Sequence, residues 1–201
     1  MGEKQLFQPL TREDKITVAL YRVGIVLSAF CMGGLAFLLM QASADAFPPR
    51  IGPSADILVY GLQTAVGMCV FFIHLYVGVF KKYLKNLYFI SLGCLAVLVF
   101  IGKGSVSTAL VQFPASALFL LPLSGCLGFV TAKEAFCFRL LEGYVLAMVM
   151  PLYLVFVSAG AITGQTLGTG MVIIAALLVF FTLRKAFMPF AYDIGDKSAY
   201  R

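Results

Sequence analysis

Histidine is the scarcest functional residue in this chain: it occurs once in 201 residues, alongside no tryptophan and only nine carboxylates against fifteen Lys and Arg. One histidine excludes a bis-histidine haem within a single chain, the paired Glu-x-x-His motifs of a di-iron bundle and any histidine-rich metal site. The five cysteines, Cys31, Cys69, Cys94, Cys126 and Cys137, stand singly with no Cys-x-x-Cys spacing. Neither a zinc ribbon nor a thioredoxin-like pair can be built from them. Glycine patterns of the P-loop and dinucleotide-binding type are missing as well.

What the chain does have is apolar length. Residues of hydrophobic type make up 61% and charged ones 12%, with a mean hydropathy of +0.98, which leaves too little polar surface to clothe a soluble domain. Spanning a bilayer takes roughly 20 apolar residues in a helix, and six runs meet that length: 16–41, 57–80, 84–101, 106–130, 143–162 and 170–187. The first two are separated by the Pro48-Pro49-Arg50 loop, and a Lys81-Lys82-Tyr83-Leu84-Lys85 hinge follows the second. The first three runs are expected to form a tight up-down-up unit. Nothing alternates as the strands of a membrane barrel do, so the fold class is all-α, a polytopic helical bundle. The chain accordingly divides into an N-terminal segment, 1–15, a six-helix transmembrane domain, 16–188, and a C-terminal tail, 189–201.

Orientation follows from the basic residues. Lys4, Arg12, Lys15, Arg22, Lys81, Lys82, Lys85, Lys133, Arg139, Arg184, Lys185, Lys197 and Arg201 fall on one side of the six spans, and only Arg50 and Lys103 on the other. By the positive-inside rule both termini are cytoplasmic. The formal net charge of +6 is then a signal of topology and of anionic lipid, carried on short loops beside apolar spans. Nucleic-acid binding, which needs a continuous basic face, is not expected. Ala42-Ser43-Ala44 resembles the cleavage site of a secretory signal, but the uncharged run before it, Val23 to Met40, exceeds the roughly 7 to 15 residues of such a signal's apolar region. The first helix is read as uncleaved, and the N-terminus lacks a myristoylation pattern.

An ionisable group at the centre of a membrane helix costs roughly 2.5 to 3.5 kcal/mol on insertion scales, so the few present are the best guide to function. Arg22 lies six residues into the first run and His74 six residues before the end of the second, both roughly 9 Å deep at 1.5 Å per residue. The connection from Lys133 to Glu142 and the Arg184-Lys185 pair enter the same layer. If that connection is helical, Glu134, Phe138 and Glu142 share one face. Arg22, His74, Glu134, Cys137 and Glu142 are therefore the candidate residues for a ligand or proton site on the cytoplasmic side. Against this stands a plainer reading, in which the cations snorkel to the interface and the carboxylates pair with them, while His74 hydrogen-bonds between helices. Asp45 and Asp56 fall on the opposite face from His74, so no Ser-His-Asp triad assembles and only a Cys137–His74 pair survives as a nucleophile. Asp193 and Asp196 read as part of a solvated, turn-forming tail. Ala29 to Gly33 and Gly61 to Ala65 read as close-packing faces, Gln63 as a hydrogen-bonding partner for a neighbouring helix, and Pro122 and Pro151 as kinks.

Four stretches together carry a resemblance: Tyr21-Arg22-Val23-Gly24, Ile73-His74-Leu75-Tyr76, the ten residues from Lys133 to Glu142, and Asp193-Ile194-Gly195-Asp196-Lys197-Ser198. They resemble the bacterial integral membrane proteins grouped as domain of unknown function 2301, with the likeness running from the first helix to the tail. The resemblance implies several helices in a bacterial inner membrane, frequently that of a photosynthetic bacterium, and supplies no catalytic residue and no cofactor.

Three classes of function follow. The leading expectation is a non-enzymatic binding or assembly protein that takes a membrane protein partner, a lipid or an apolar cofactor at the cytoplasmic-side polar residues. A small proton-coupled transporter using the same residues is the second. An intramembrane enzyme acting on lipid or a thiol is the third, and it requires Cys137 and His74 within hydrogen-bond reach beside an open cavity.

Overall fold

The computed structural model of the chain describes residues 11–42, 51–75, 77–189 and 193, and these contain helices and short connections with no strand among the described residues. In chain order the helices are α1 (Arg12–Gln41), α2 (Ile51–Phe72), α3 (Gly78–Ile101), α4 (Val106–Gln112), a 3-10 helix (Pro114–Leu120), α5 (Leu121–Phe138), α6 (Leu141–Ser158) and α7 (Gln165–Ala186). Among the described residues six stretches are long and apolar enough to cross a membrane, the fourth of them made by the 3-10 helix and α5 together.

The helix ends follow local chemistry. Thr11 caps α1: its hydroxyl accepts the Asp14 amide at 3.3 Å while its own N–H donates to the Asp14 carboxylate at 2.9 Å, satisfying two groups that a helix start leaves unpaired. Ser105 caps α4 in the same way through the Thr108 amide.

Proline breaks the expected 106–130 helix, though not at Pro122. Phe113 precedes Pro114 and adopts φ −133°, ψ 85°, because a proline's ring crowds the preceding residue out of the α region. Pro122 then falls in the first turn of α5, where a missing N–H costs nothing. Pro151 lies in the interior of a helix, α6.

Two further boundaries differ from expectation. α2 stops at Phe72, not Phe80, which places His74 beyond the helix and puts Lys81, Lys82 and Lys85 within α3, near its start. Between Glu134 and Glu142 the chain turns: Arg139 is left-handed at φ 56°, ψ 42° and caps α5. Glu142 therefore belongs to α6 and does not share a helix face with Glu134.

The packing order also departs from an up-down-up trio. α1 lies between α2 and α7, while α3 rests more on α5 than on α2, and α5 pairs closely with α6. Close approach is set by glycine at two crossings. A Cβ on Gly24 would meet the Ala65 carbonyl and Cys69 Sγ at 2.8 Å, and one on Gly143 would meet the Thr131 carbonyl oxygen at 2.4 Å. Gly61 and Ala65 do sit at the α1–α2 contact, with Cys31 Sγ 3.0 Å from a Cβ on Gly61, but Gly33 faces open space. Gln63 bridges helices as expected: its side-chain amide donates to Ser91 Oγ at 2.8 Å, and the Tyr88 hydroxyl donates to its backbone carbonyl at 3.1 Å. Outward-facing Phe30, Phe37, Ile57, Phe100 and Phe136 are exposed, as lipid contact requires.

Candidate functional site

The start of α1, the end of α5 and the end of α7 meet at one end of the bundle and bury a group of charges there. Glu134 is at its centre, with no exposed surface. Its Oε1 accepts from the Tyr21 hydroxyl and from Lys133 Nζ, each at 2.7 Å, and its Oε2 pairs with Lys185 Nζ. Lys185, 1% exposed, also pairs with Asp193 Oδ1 and lies 3.9 Å from the centre of the Phe138 ring, a cation–π contact strengthened by the absence of water.

Asp193 Oδ2 in turn accepts from Arg22 Nε at 2.7 Å and pairs with Nη2 at 2.6 Å. The remaining donors of Arg22 close the end of α7: Nη1 donates to the carbonyls of Met188 at 2.7 Å and Ala186 at 3.3 Å, and Nη2 to that of Pro189 at 3.2 Å. Those carbonyls belong to the end of α7 and just beyond it, where a helix leaves acceptors without partners.

Three cations thus enclose two carboxylates, one ion pair passing to the next. Burying a charge costs several kcal/mol, an expense offset only when pairing and hydrogen bonds are complete. Here the two carboxylates are matched entirely from within the chain.

Sequence reasoning placed Arg22 and Glu134 in one layer, and the structure joins them, but through Lys185 and Asp193 and not directly. Asp193 is buried, which corrects the expectation of a solvated tail for that residue; Asp196 lies outside the described residues. Glu142 sits apart, gripped on both oxygens by Arg184 Nη1 at 2.8 and 2.9 Å.

His74 Nε2 is 3.3 Å from Thr17 Oγ1, and its Nδ1 is buried without a hydrogen-bond partner. Because the Thr17 hydroxyl has backbone carbonyls of its own to donate to, Glu13 at 3.1 Å and Asp14 at 3.0 Å, the imidazole is the donor and Nδ1 carries the lone pair. Burial lowers the pKa of His74 first, Lys133 and Lys81 lower it further, and Asp193 and Asp14 oppose them. The ring is neutral at pH 7. Cys137 is exposed and free, and no hydrogen bond joins it to His74, so the thiol–imidazole pair is not assembled.

Asp193 and Tyr21 are members that sequence reasoning left out of the layer, and Lys185, which it placed there, was not among the candidate residues. Lys185 was legible only in part: adjacent residues on a helix point about 100° apart, so Arg184 and Lys185 face different partners.

A roomy cavity lies at the other end of the bundle. About 400 Å³ in volume, it is walled by the end of α1, the start of α2, α4, the 3-10 helix, the end of α6 and the start of α7. Leu35, Leu38, Val59, Leu110, Leu120 and Leu154 give it an aliphatic surface, and among the described residues Asp56 is the one charged side chain on its wall. A narrower space of about 80 Å³ shares Leu35, Val59, Leu120 and Leu154 with it and is also lined by Met32, Leu62 and Ile174. Asp56 is buried, and its Oδ1 accepts the Ser107 amide at 2.7 Å.

Among the described residues no group of three or more His, Cys, Asp or Glu side chains is placed to hold a metal ion.

The sequence model of the family described as uncharacterized integral membrane protein (DUF2301) matches residues 68–201, a span that includes His74, the Lys133-to-Glu142 connection, Lys185 and Asp193. The Tyr21-Arg22 stretch precedes it. No curated protein and no solved structure matches the chain.

Proposed function

We propose that this chain, which belongs to the DUF2301 family of uncharacterized integral membrane proteins, is a non-enzymatic binding protein that holds an apolar or amphiphilic molecule within the bilayer. The cavity of about 400 Å³ between α1, α2, α4, α6 and α7 carries this reading. Small-molecule sites in proteins occupy roughly 300 to 1,000 Å³, are mainly apolar and carry a few placed polar groups, and this cavity meets each criterion. The membrane is the bacterial inner membrane that the family resemblance implies, and by the distribution of Lys and Arg both termini are cytoplasmic and the cavity lies towards the opposite face.

On this reading the polar residues at the basic end have a different task from the one the sequence suggested. Arg22, Lys185, Asp193 and Glu134 satisfy each other and fasten α1, α5, α7 and the segment after α7 together. His74, Cys137 and Glu142 stand outside that set. A protein partner or lipid that engages this end meets their exposed neighbours, not the ion pairs.

Native mass spectrometry with an absorbance spectrum, on protein extracted gently from its own host, tests the proposal. A bound lipid, pigment or other apolar molecule is expected, and replacing cavity-lining Val111 by Trp should deplete it. A chain that emerges empty, from both wild type and Val111→Trp, overturns the reading.

A further inference from the structure

Four carboxylates are buried among the described residues, and three of them have cations. Glu134 pairs with Lys133 and Lys185, Asp193 with Arg22 and Lys185, and Glu142 with Arg184. Asp56 is the exception: among the described residues no Lys, Arg or His pairs with it, and its one hydrogen bond is the Ser107 amide. It also differs in position, since it faces the aliphatic cavity and the others do not line it.

A carboxylate in such a wall exerts its field across a space of low dielectric. Attraction to a cation about 4 Å away is roughly fourfold stronger at an effective dielectric of about 20 than in water. Asp56 lies five residues into α2, about 8 Å from its start, so a polar group at its level is near one end of the cavity while an attached chain fills the aliphatic part.

We propose that Asp56 makes this cavity a site for a single-chain amphiphile with a protonated amine head, the ammonium resting against the carboxylate and the hydrocarbon chain lying between Leu35, Val59, Leu120 and Leu154. The inference rests on the binding reading above and adds the chemistry of the head group. A carboxylate or phosphate head is disfavoured by the same charge.

The test uses the full chain in phosphatidylcholine nanodiscs and three photoactivatable sixteen-carbon chains that end in a primary amine, a hydroxyl or a carboxylate. Cross-linked peptides are read by mass spectrometry. Asp56→Asn is the informative variant, because its side-chain carbonyl still accepts the Ser107 amide and the start of α4 stays capped; an unchanged thermal unfolding curve verifies that it folds.

The amine probe is expected to label α4, α6 and α7 around the cavity, and Asp56→Asn to reduce that labelling at least about tenfold, as loss of a charge-assisted contact predicts, while the hydroxyl probe is unaffected. Equal labelling by all three probes, unchanged in Asp56→Asn, overturns the head-group inference and leaves the binding reading intact. Labelling of the cavity no stronger than that of the lipid-facing surface of α3, by any probe, overturns both.

Discussion

Lys185 is the residue whose loss should be felt most, since it supplies a cation to two buried carboxylates at once. Replacing it by Met keeps the length of the side chain and its contact with Phe138 but leaves Glu134 and Asp193 each one partner short. Removing one member of a buried ion pair typically costs about 3 to 5 kcal/mol, because the remaining charge is left uncompensated. Glu134 retains Lys133 and Tyr21, and Asp193 retains Arg22, which puts Lys185→Met at the lower end, about 3 kcal/mol. Glu134→Gln alone strands Lys185 less severely, as Asp193 remains. In the Lys185→Met background Glu134 keeps Lys133 as its one cation, so Glu134→Gln should cost about 1 to 2 kcal/mol less there than in the wild type, a coupling of the size seen between contacting residues. Equilibrium unfolding of the four proteins in mixed micelles measures the cycle. Additivity of the two substitutions within about 0.5 kcal/mol, or a Lys185→Met cost below about 1 kcal/mol, would refute the account of Glu134, Lys185 and Asp193 as one interdependent network.

The neutral, half-buried His74 implies a stability that falls on acidification. Its folded-state pKa lies below the ordinary imidazole value, so the unfolded chain takes up a proton first: the penalty is absent above about pH 6.5, grows as pH drops below it and levels off once the folded-state value is passed. His74→Gln should flatten the dependence of unfolding temperature on pH between about 7.5 and 5, and a slope equal to wild type's would count against it. Packing gives the other expectation: Gly143→Ala forces a methyl against the Thr131 carbonyl and Ala135 and should cost about 1 to 3 kcal/mol, whereas Gly33→Ala, with open space around it, should be neutral or stabilise by up to about 1 kcal/mol through helix propensity. Unfolding of the pair under one set of conditions decides whether helix crossings, not glycine in general, set the sensitivity.

Length and apolarity made the six spans legible, because a membrane helix must satisfy its backbone internally over a fixed thickness. Their breaks were legible less often. Pro114 ended a helix where Pro122 had drawn attention, and the difference lies in position: a proline is tolerated in the first turn of a helix and excludes its predecessor from the one before. The end of α2 at Phe72 had no such marker, since the residues on both sides of His74 are as apolar as the helix itself. Arg139 gave no signal either, as a left-handed residue is usually glycine or asparagine.

The pairing of charges was the part furthest from the sequence. Depth placed Arg22 and Glu134 in one layer, but depth along the membrane normal does not give azimuth around a helix, and azimuth decides which side chains meet. Asp193 shows the limit from the other direction: its neighbours Ile194 and Gly195 read as a turn in water, and what buries it is a guanidinium 171 positions earlier in the chain. A sequence with few charges nevertheless narrows the alternatives. Nine carboxylates are present, and of the four buried ones described, the three at the basic end are neutralised by cations there. The fourth, Asp56, has an amide where the others have an ammonium or guanidinium, and it has a cavity beside it. The cations gathered at the far end cannot reach Asp56, so the positive charge that would complete it must come from the few basic residues on its own side or from outside the protein.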